Sequence, residues 1–278
     1  MNAPGEADDL FVRSRAALLD AIEALHEHRK SVIVIGAQAV YLRTAATQVA
    51  IAEATKDSDL ALDPRSLSDD PRIEAAMIDA GFKRDPDKQQ PGAWLSEDQI
   101  PVDLMVPERL AGSGGKQSRG ARIPPHHKHA TRRAKGLEAA LIDNSSLQIT
   151  SLDPDDTRRY DVLVAGPAAL IIAKLHKIGE RAEAPGRLVD KDAHDLYRIL
   201  IATTTEHLAS SFTMLRSDDL ADAVTEEAID LLASLFASGP DAVGSAMAGR
   251  TEEGVGEPET VANQTSILAA DLIEALSS

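Results

Sequence analysis

Two aspartates separated by one residue, Asp57-Ser58-Asp59, run directly into the apolar stretch Leu60-Ala61-Leu62. On an extended chain, residues i and i+2 face the same side, so the pair forms a bracket of hard oxygen ligands for a divalent cation. A third carboxylate, Asp103, lies inside another apolar run, Val102-Asp103-Leu104, where an ionised side chain is costly unless it is paired or bound to metal. The triplet alone says little. The chain also contains Asp85-Pro86-Asp87, Asp153-Pro154-Asp155 and Asp190-Lys191-Asp192, and most such patterns are solvated turns. What singles out the first is its context. Just upstream, Ile33-Val34-Ile35-Gly36-Ala37-Gln38 reads as strand, tight turn and helix start, an arrangement that offers backbone N–H groups to phosphate oxygens. The further glycines of a dinucleotide-binding turn do not follow.

Lys174, Lys177 and Arg181 recur at i, i+3 and i+7, so one helix can present a basic face, either to phosphate or to solvent. Lys174 follows Leu170-Ile171-Ile172-Ala173 and is expected at the edge of the core. Asp192 and Asp195 are one helical turn apart and could face the site or pair with Lys174 and Arg181. From 109 to 137 there are eight Lys or Arg, three His and no acidic residue. Lys116, Arg119, Arg122, Lys128, Arg132, Arg133 and Lys135 are therefore expected to contact the phosphates of a nucleic-acid acceptor. His126, His127 and His129 sit in a Pro-containing loop without the fixed geometry of a zinc site, and suit protonatable, phosphate-facing roles better.

The elements that position these residues follow from periodicity. Apolar spacing predicts a helix over 10–29, then a buried strand at 32–35 and a helix at 37–42. A strand is expected at 58–62, a helix at 69–80, a short strand at 94–95 and another at 100–106, which Pro101 assigns to an edge or a strand start. The Gly/Ser-rich stretch within 108–136 reads as a long surface loop, followed by strands at 138–143, 147–152 and 160–164. Beyond Pro167 the pattern turns helical, with helices at 167–183, 189–202, 217–237 and 258–276 and a break between 249 and 258.

Composition bounds the rest. The chain is 43% apolar but only 3% aromatic, so an aliphatic core on many helices is expected. Absence of cysteine excludes thiolate metal sites and cysteine nucleophiles. The longest uncharged apolar run, 162–173, contains Gly166 and Pro167 and is too short for a bilayer, so a soluble, cytoplasmic protein is expected. A formal charge of −16 disfavours bulk coating of nucleic acid but leaves room for a local basic patch.

These motifs together resemble the nucleotidyltransferase superfamily and, within it, AbiEii/AbiGii-type toxins, the MenT-like proteins among them. The likeness rests on Gly36-Ala37-Gln38-Ala39, on Thr55-Lys56-Asp57-Ser58-Asp59-Leu60, and on Ala168-Ala169-Leu170 through Lys174-Leu175, Arg181, Lys191-Asp192 and Asp195-Leu196-Tyr197, across residues 30–200. It departs at Ala37-Gln38, where a second Gly or a Ser is usual. The resemblance implies an α/β (α+β) protein: a polymerase-β-like lobe with a mixed sheet over 1–165 and a helical lobe over 166–278, with the site between them. It implies transfer of a nucleotidyl group from a nucleoside triphosphate, with Mg²⁺ held by Asp57, Asp59 and Asp103. Gly36, Ala37, Gln38, Thr55, Lys174, Lys177 and Arg181 would contact the nucleotide, and Lys174 and Asp195 would join the catalytic set. The implied acceptor is tRNA and the implied role is the toxin of a toxin-antitoxin pair, with a cognate antitoxin as partner. A small-molecule or protein acceptor, and a non-catalytic binding module on the same fold, are the alternatives.

Overall fold

The computed structural model describes residues 4–47, 57–86, 90–114, 118–182 and 184–277. The chain is a mixed α/β protein that divides into two compact units, one made of Met1–Ala39 with Ala54–Ala165, the other of Val40–Glu53 with Gly166–Ser278.

The first unit is built on a mixed sheet. Its strands are β1 (Val32–Ile35), β2 (Ser58–Leu62), β3 (Lys83–Arg84), β4 (Ala93–Leu95), β5 (Pro101–Pro107), β6 (Arg132–Ala134), β7 (Asn144–Thr150) and β8 (Arg159–Ala165). They lie in the order β3-β4-β5-β2-β1-β8-β7, with β6 also pairing β5. β1 runs antiparallel to β2 and parallel to β8, and β2 runs parallel to β5. Every residue of β1 is buried, as an unbroken β-branched run in a central strand should be. Helix α1 (Pro4–Ala24) buries Leu18, Leu19, Ala21 and Ile22. It ends earlier than periodicity predicts, because the polar stretch that follows turns into a 3₁₀ helix, His26–Ser31. Helix α2 (Gly36–Arg43) leaves the end of β1, and α3 is the short helix Ile73–Asp79.

Two expectations for this unit fail. The strand expected at 138–143 is a buried 3₁₀ helix, Glu138–Leu141, whose Glu, Ala and Leu are helix formers rather than β-branched residues. The stretch 108–136 is not a free surface loop. Ala111, Ala121, Ile123, Ala130 and Thr131 are buried in it, and β6 returns it to the sheet. Residues 125–127 dock on the start of α3: Arg72 donates to the Pro125 carbonyl, Ile73 N–H donates to His126 Nδ1 (3.2 Å), and His127 N–H donates to Glu74 (3.0 Å).

The second unit is helical: α4 (Pro167–Ala182), α5 (Asp190–Ala202), α6 (Thr205–Arg216), α7 (Asp222–Leu232) with a π-turn at Ala233–Ala237, α8 (Val243–Arg250) and α9 (Pro258–Ser277). α6 and α8 were not expected. α6 is started by Thr204, whose hydroxyl accepts the His207 N–H, the usual work of an N-cap. α8 carries two glycines that weaken its helical signal, yet Gly244 is what lets it pack: a Cβ there would lie 2.3 Å from the Phe236 ring. Among the described residues no helix is long and apolar enough to cross a membrane.

Candidate functional site

Asp59 and Asp103 are direct register partners on the parallel strands β2 and β5. Strands in a sheet lie about 4.8 Å apart, and paired residues point to the same face, so the two carboxylates stand side by side. Asp57 precedes β2 and is exposed, while Ser58 between the two aspartates is buried. That alternation puts Asp57 on the Asp59 side of the strand. β1 supplies the third wall. Gly36, immediately after β1, has φ 66°, and a Cβ there would lie 2.1 Å from Asp59 Oδ2. The turn therefore requires glycine twice, for its left-handed backbone and for the carboxylate lying against its Cα.

Arg132 on β6 donates to Asp103 Oδ2 at 2.8 Å, with the Asp103 side chain 19% exposed. This corrects the reading of Arg132 and Arg133 as part of an open surface loop. Arg132 is engaged with a carboxylate, and Arg133 donates to the Ala111 and Gly112 carbonyls. Arg119, Arg122 and Lys128 are exposed, whereas Lys116 and Thr55 fall outside the described residues. Among the described residues no three His, Asp or Glu side chains already form a metal cluster. The oxygen-only donor set at Asp57, Asp59 and Asp103 nevertheless fits Mg²⁺, which takes one or two carboxylates together with substrate phosphates rather than an all-protein cage.

Gln38 lies two residues beyond Gly36. Its side chain is 1% exposed and turned inward, accepting from Arg15 Nε (3.0 Å) and donating to Ser14 Oγ (3.1 Å). What 36–38 can offer a phosphate is main-chain N–H, not the Gln38 amide. Ser14 and Arg15 carried no chemical signal in the sequence beyond two polar residues within a helical apolar pattern.

In the second unit, Lys174 is enclosed rather than emerging at the edge of the core. Its side chain is 8% exposed, and Nζ donates to Asp192 Oδ1 (2.8 Å) and Asp195 Oδ2 (2.6 Å). Lys177 and Arg181 add bonds to the two oxygens of Asp192 at 2.9 and 3.2 Å. Burial works against the charge on Lys174, but Asp192 and Asp195 outweigh it and hold the amine above its usual range. Burial likewise disfavours ionised Asp192, and Lys174 with Lys177 overcomes that and holds it well below the carboxylate range. Of the two roles open to Asp192 and Asp195, the ion-paired one is present. Nearby, Lys191 and Arg198 stand 5.6 and 5.7 Å from the Tyr41 ring, and Arg198 donates to Thr44 Oγ1 (3.1 Å). Arg198 was missed, although it lies three residues beyond Asp195 on the same helix.

A groove of 1010 Å³ in the first unit is lined by both signs of charge, among them Asp20, Glu23, Arg29, Asp79 and Arg159, and by none of Asp57, Asp59 or Asp103. The acidic triplet at 153–155 is an exposed turn in which Asp155 N–H donates to Asp153 Oδ1 (2.9 Å). The chain matches no family model, no curated protein and no solved structure.

Proposed function

We propose that the chain is a Mg²⁺-dependent nucleotidyltransferase that moves a nucleotidyl group from a nucleoside triphosphate to an acceptor hydroxyl, with tRNA as the acceptor and toxin of a toxin-antitoxin pair as its role. One observation carries the reading: Asp59 and Asp103 adjoin in register on parallel strands, with the Gly36 turn closed against Asp59. Two strand carboxylates on one face, beside a turn that starts a helix, suit a cation-bound polyphosphate. The tRNA acceptor rests on the resemblance in the motifs, and the exposed Arg119, Arg122 and Lys128 in a chain of net charge −16 favour RNA over a small acceptor. The toxin role rests on the resemblance in the motifs, and the proposed setting is the cytoplasm.

In this reading the acceptor hydroxyl gives up its proton to water, its oxygen attacks the α-phosphorus in line, the new P–O bond forms, and the α–β bridge breaks with pyrophosphate leaving. Bound Mg²⁺ would neutralise charge on the phosphates and lower the barrier to displacement. Asp57, Asp59 and Asp103 would hold the cation, with Asp103 completing the site beside the acceptor hydroxyl and oriented by Arg132. The 36–38 amides orient the phosphates. In the second unit, Lys177 and Arg181 are the accessible cations of the ion network, and Lys174 with Asp195 keeps that network assembled.

The test is incorporation of labelled triphosphates into total RNA with Mg²⁺ present. Asp59→Asn and Asp103→Asn should each lower transfer about a thousandfold, several kcal/mol of transition-state stabilisation, with melting unchanged. Asp153→Asn and Asp155→Asn should stay within about a few-fold, as expected for surface changes. Label on protein or on a small molecule would displace tRNA as acceptor, and full transfer by Asp59→Asn would remove the enzymatic reading.

A further inference from the structure

Behind the carboxylate face lies a buried polar chain that no step above uses. Arg15 Nε–H donates to Gln38 Oε1 (3.0 Å), Gln38 Nε2–H donates to Ser14 Oγ (3.1 Å), and the Ser14 hydroxyl donates to the Asp57 carbonyl (3.3 Å). The Ser58 hydroxyl returns a bond to the Ser14 carbonyl at 3.0 Å. Ser14, Ser58 and Gln38 are buried, and Arg15 is 5% exposed. Along the path Arg15, Gln38, Ser14, Asp57 the donors point the same way, from the guanidinium to the Asp57 main chain, so each of these bonds polarises the next.

From this geometry we infer that Ser14, Arg15 and Gln38 are positioning residues, a relay that holds the Gly36 turn and residues 57–59 in fixed relation. Its functional consequence rests on the nucleotidyltransferase reading; its geometry does not. Gln38 lies two residues beyond Gly36, and Ser14 grips the chain at Asp57 and Ser58, so the relay ties together the two sides of the gap into which Asp59 fits. That gap is tight, because Asp59 Oδ2 sits 2.1 Å from where a Cβ on residue 36 would be. The cost of the relay argues for such a role. Among the described residues, the hydrogen-bond partners of Arg15 are the Gln38 amide and the Thr150 carbonyl, both neutral. Burial pushes the guanidinium down to about 10, still charged at neutral pH. An apolar side chain of that size would serve packing at less expense. What the polar chain adds is direction, and misplacing a reacting group by about 1 Å can cost on the order of a hundredfold in rate.

Two substitutions test it: Gln38→Met, which keeps length and removes both bonds, and Ser14→Ala, which removes one hydroxyl. In each, amide exchange at 36–38 and 57–59 should quicken about tenfold, the worth of one buried hydrogen bond, while the rest of the sheet keeps its protection. Transfer should lose about tenfold in kcat with little change in KM for the triphosphate, and half-maximal rate should need more Mg²⁺. Wild-type exchange and wild-type kcat in both variants would overturn the relay. So would exchange that quickens evenly across the sheet, which marks general loosening. If the wild-type chain transfers nothing while local exchange still responds, the enzymatic reading fails and the relay stands.

Discussion

Asp59 with Asp103 and Asp192 with Asp195 are two pairs of the same side chain in opposite circumstances. The first pair is brought together by strand register between distant parts of the chain, and Arg132 is the cation bonded to Asp103. The second pair lies on one turn of α5 and receives bonds from Lys174, Lys177 and Arg181. In one region the carboxylates stand at a partly open edge, with Asp57 exposed and Arg132, bonded to Asp103, 31% exposed; in the other, the Lys174, Asp192 and Asp195 side chains are 8%, 6% and 2% exposed. The first arrangement is accessible to a ligand, and the second contributes shape. A charged cluster thus tells function from architecture by its accessibility rather than by its residue types.

The strongest way to break this contrast is Lys174→Met. Removing one partner of a buried ion network leaves carboxylates uncompensated and should cost about 3–5 kcal/mol, seen as a large fall in melting temperature. Asp59→Asn, an isosteric change at a half-buried position, should cost less than about 1 kcal/mol. Equal losses in the two variants would erase the distinction. Acid sharpens it next. Because the folded-state pKa of Asp192 lies below 3.8, its contribution is present above that pH and is lost as pH falls below it. Denaturation followed from pH 5 to pH 2 should therefore show a loss that Asp192→Asn flattens.

The smallest effect involves a neutral ring rather than a charge. His126 Nδ1 accepts the Ile73 N–H, so protonation at that atom breaks the bond. Burial, then the neighbouring His28, lowers the His126 pKa, with Glu74 and a Ser68 backbone contact opposing and Arg72 assisting. The sign follows: stability from neutral His126 is complete above 6.5 and declines as pH falls from there toward the depressed value. Exchange of the Ile73 amide, corrected for its intrinsic rate, should quicken between pH 8 and pH 5.5 by about 1 kcal/mol of lost protection. His126→Gln, which can accept at every pH, should abolish the dependence. A pH-independent Ile73 amide in the wild type would discard the latch.

Several of these features are legible in the sequence. Val32-Ile33-Val34-Ile35, Leu60-Ala61-Leu62 and Val102-Asp103-Leu104 announced strands because β-branched and aliphatic runs of that length, bounded by turns, have few other solutions. The adjacency of Asp59 and Asp103 was an expectation of motif likeness; register itself is a long-range property that no local pattern encodes. For the same reason Arg132 could not be matched to Asp103, since their pairing depends on β6 returning to β5. The direction of the Gln38 side chain was not legible, because an eight-residue helix shows too little periodicity to say which way a polar side chain points. Lys174 was misplaced by its spacing: it follows four apolar residues, and only α5 packed beside α4 turns that edge into an interior.

The contact between Gly36 and Asp59 also restricts the order in which this chain can change. A side chain at 36 bears two separate penalties, overlap with the Asp59 carboxylate and a left-handed backbone at φ 66° that costs an L residue about 1–2 kcal/mol. Shortening residue 59 removes the first and leaves the second. A lineage drifting away from this arrangement would therefore lose the carboxylate before the glycine, and the reverse path would pass through an intermediate carrying both penalties. Gly36 should outlast Asp59 in decaying copies, as the mark of a position whose partner has gone.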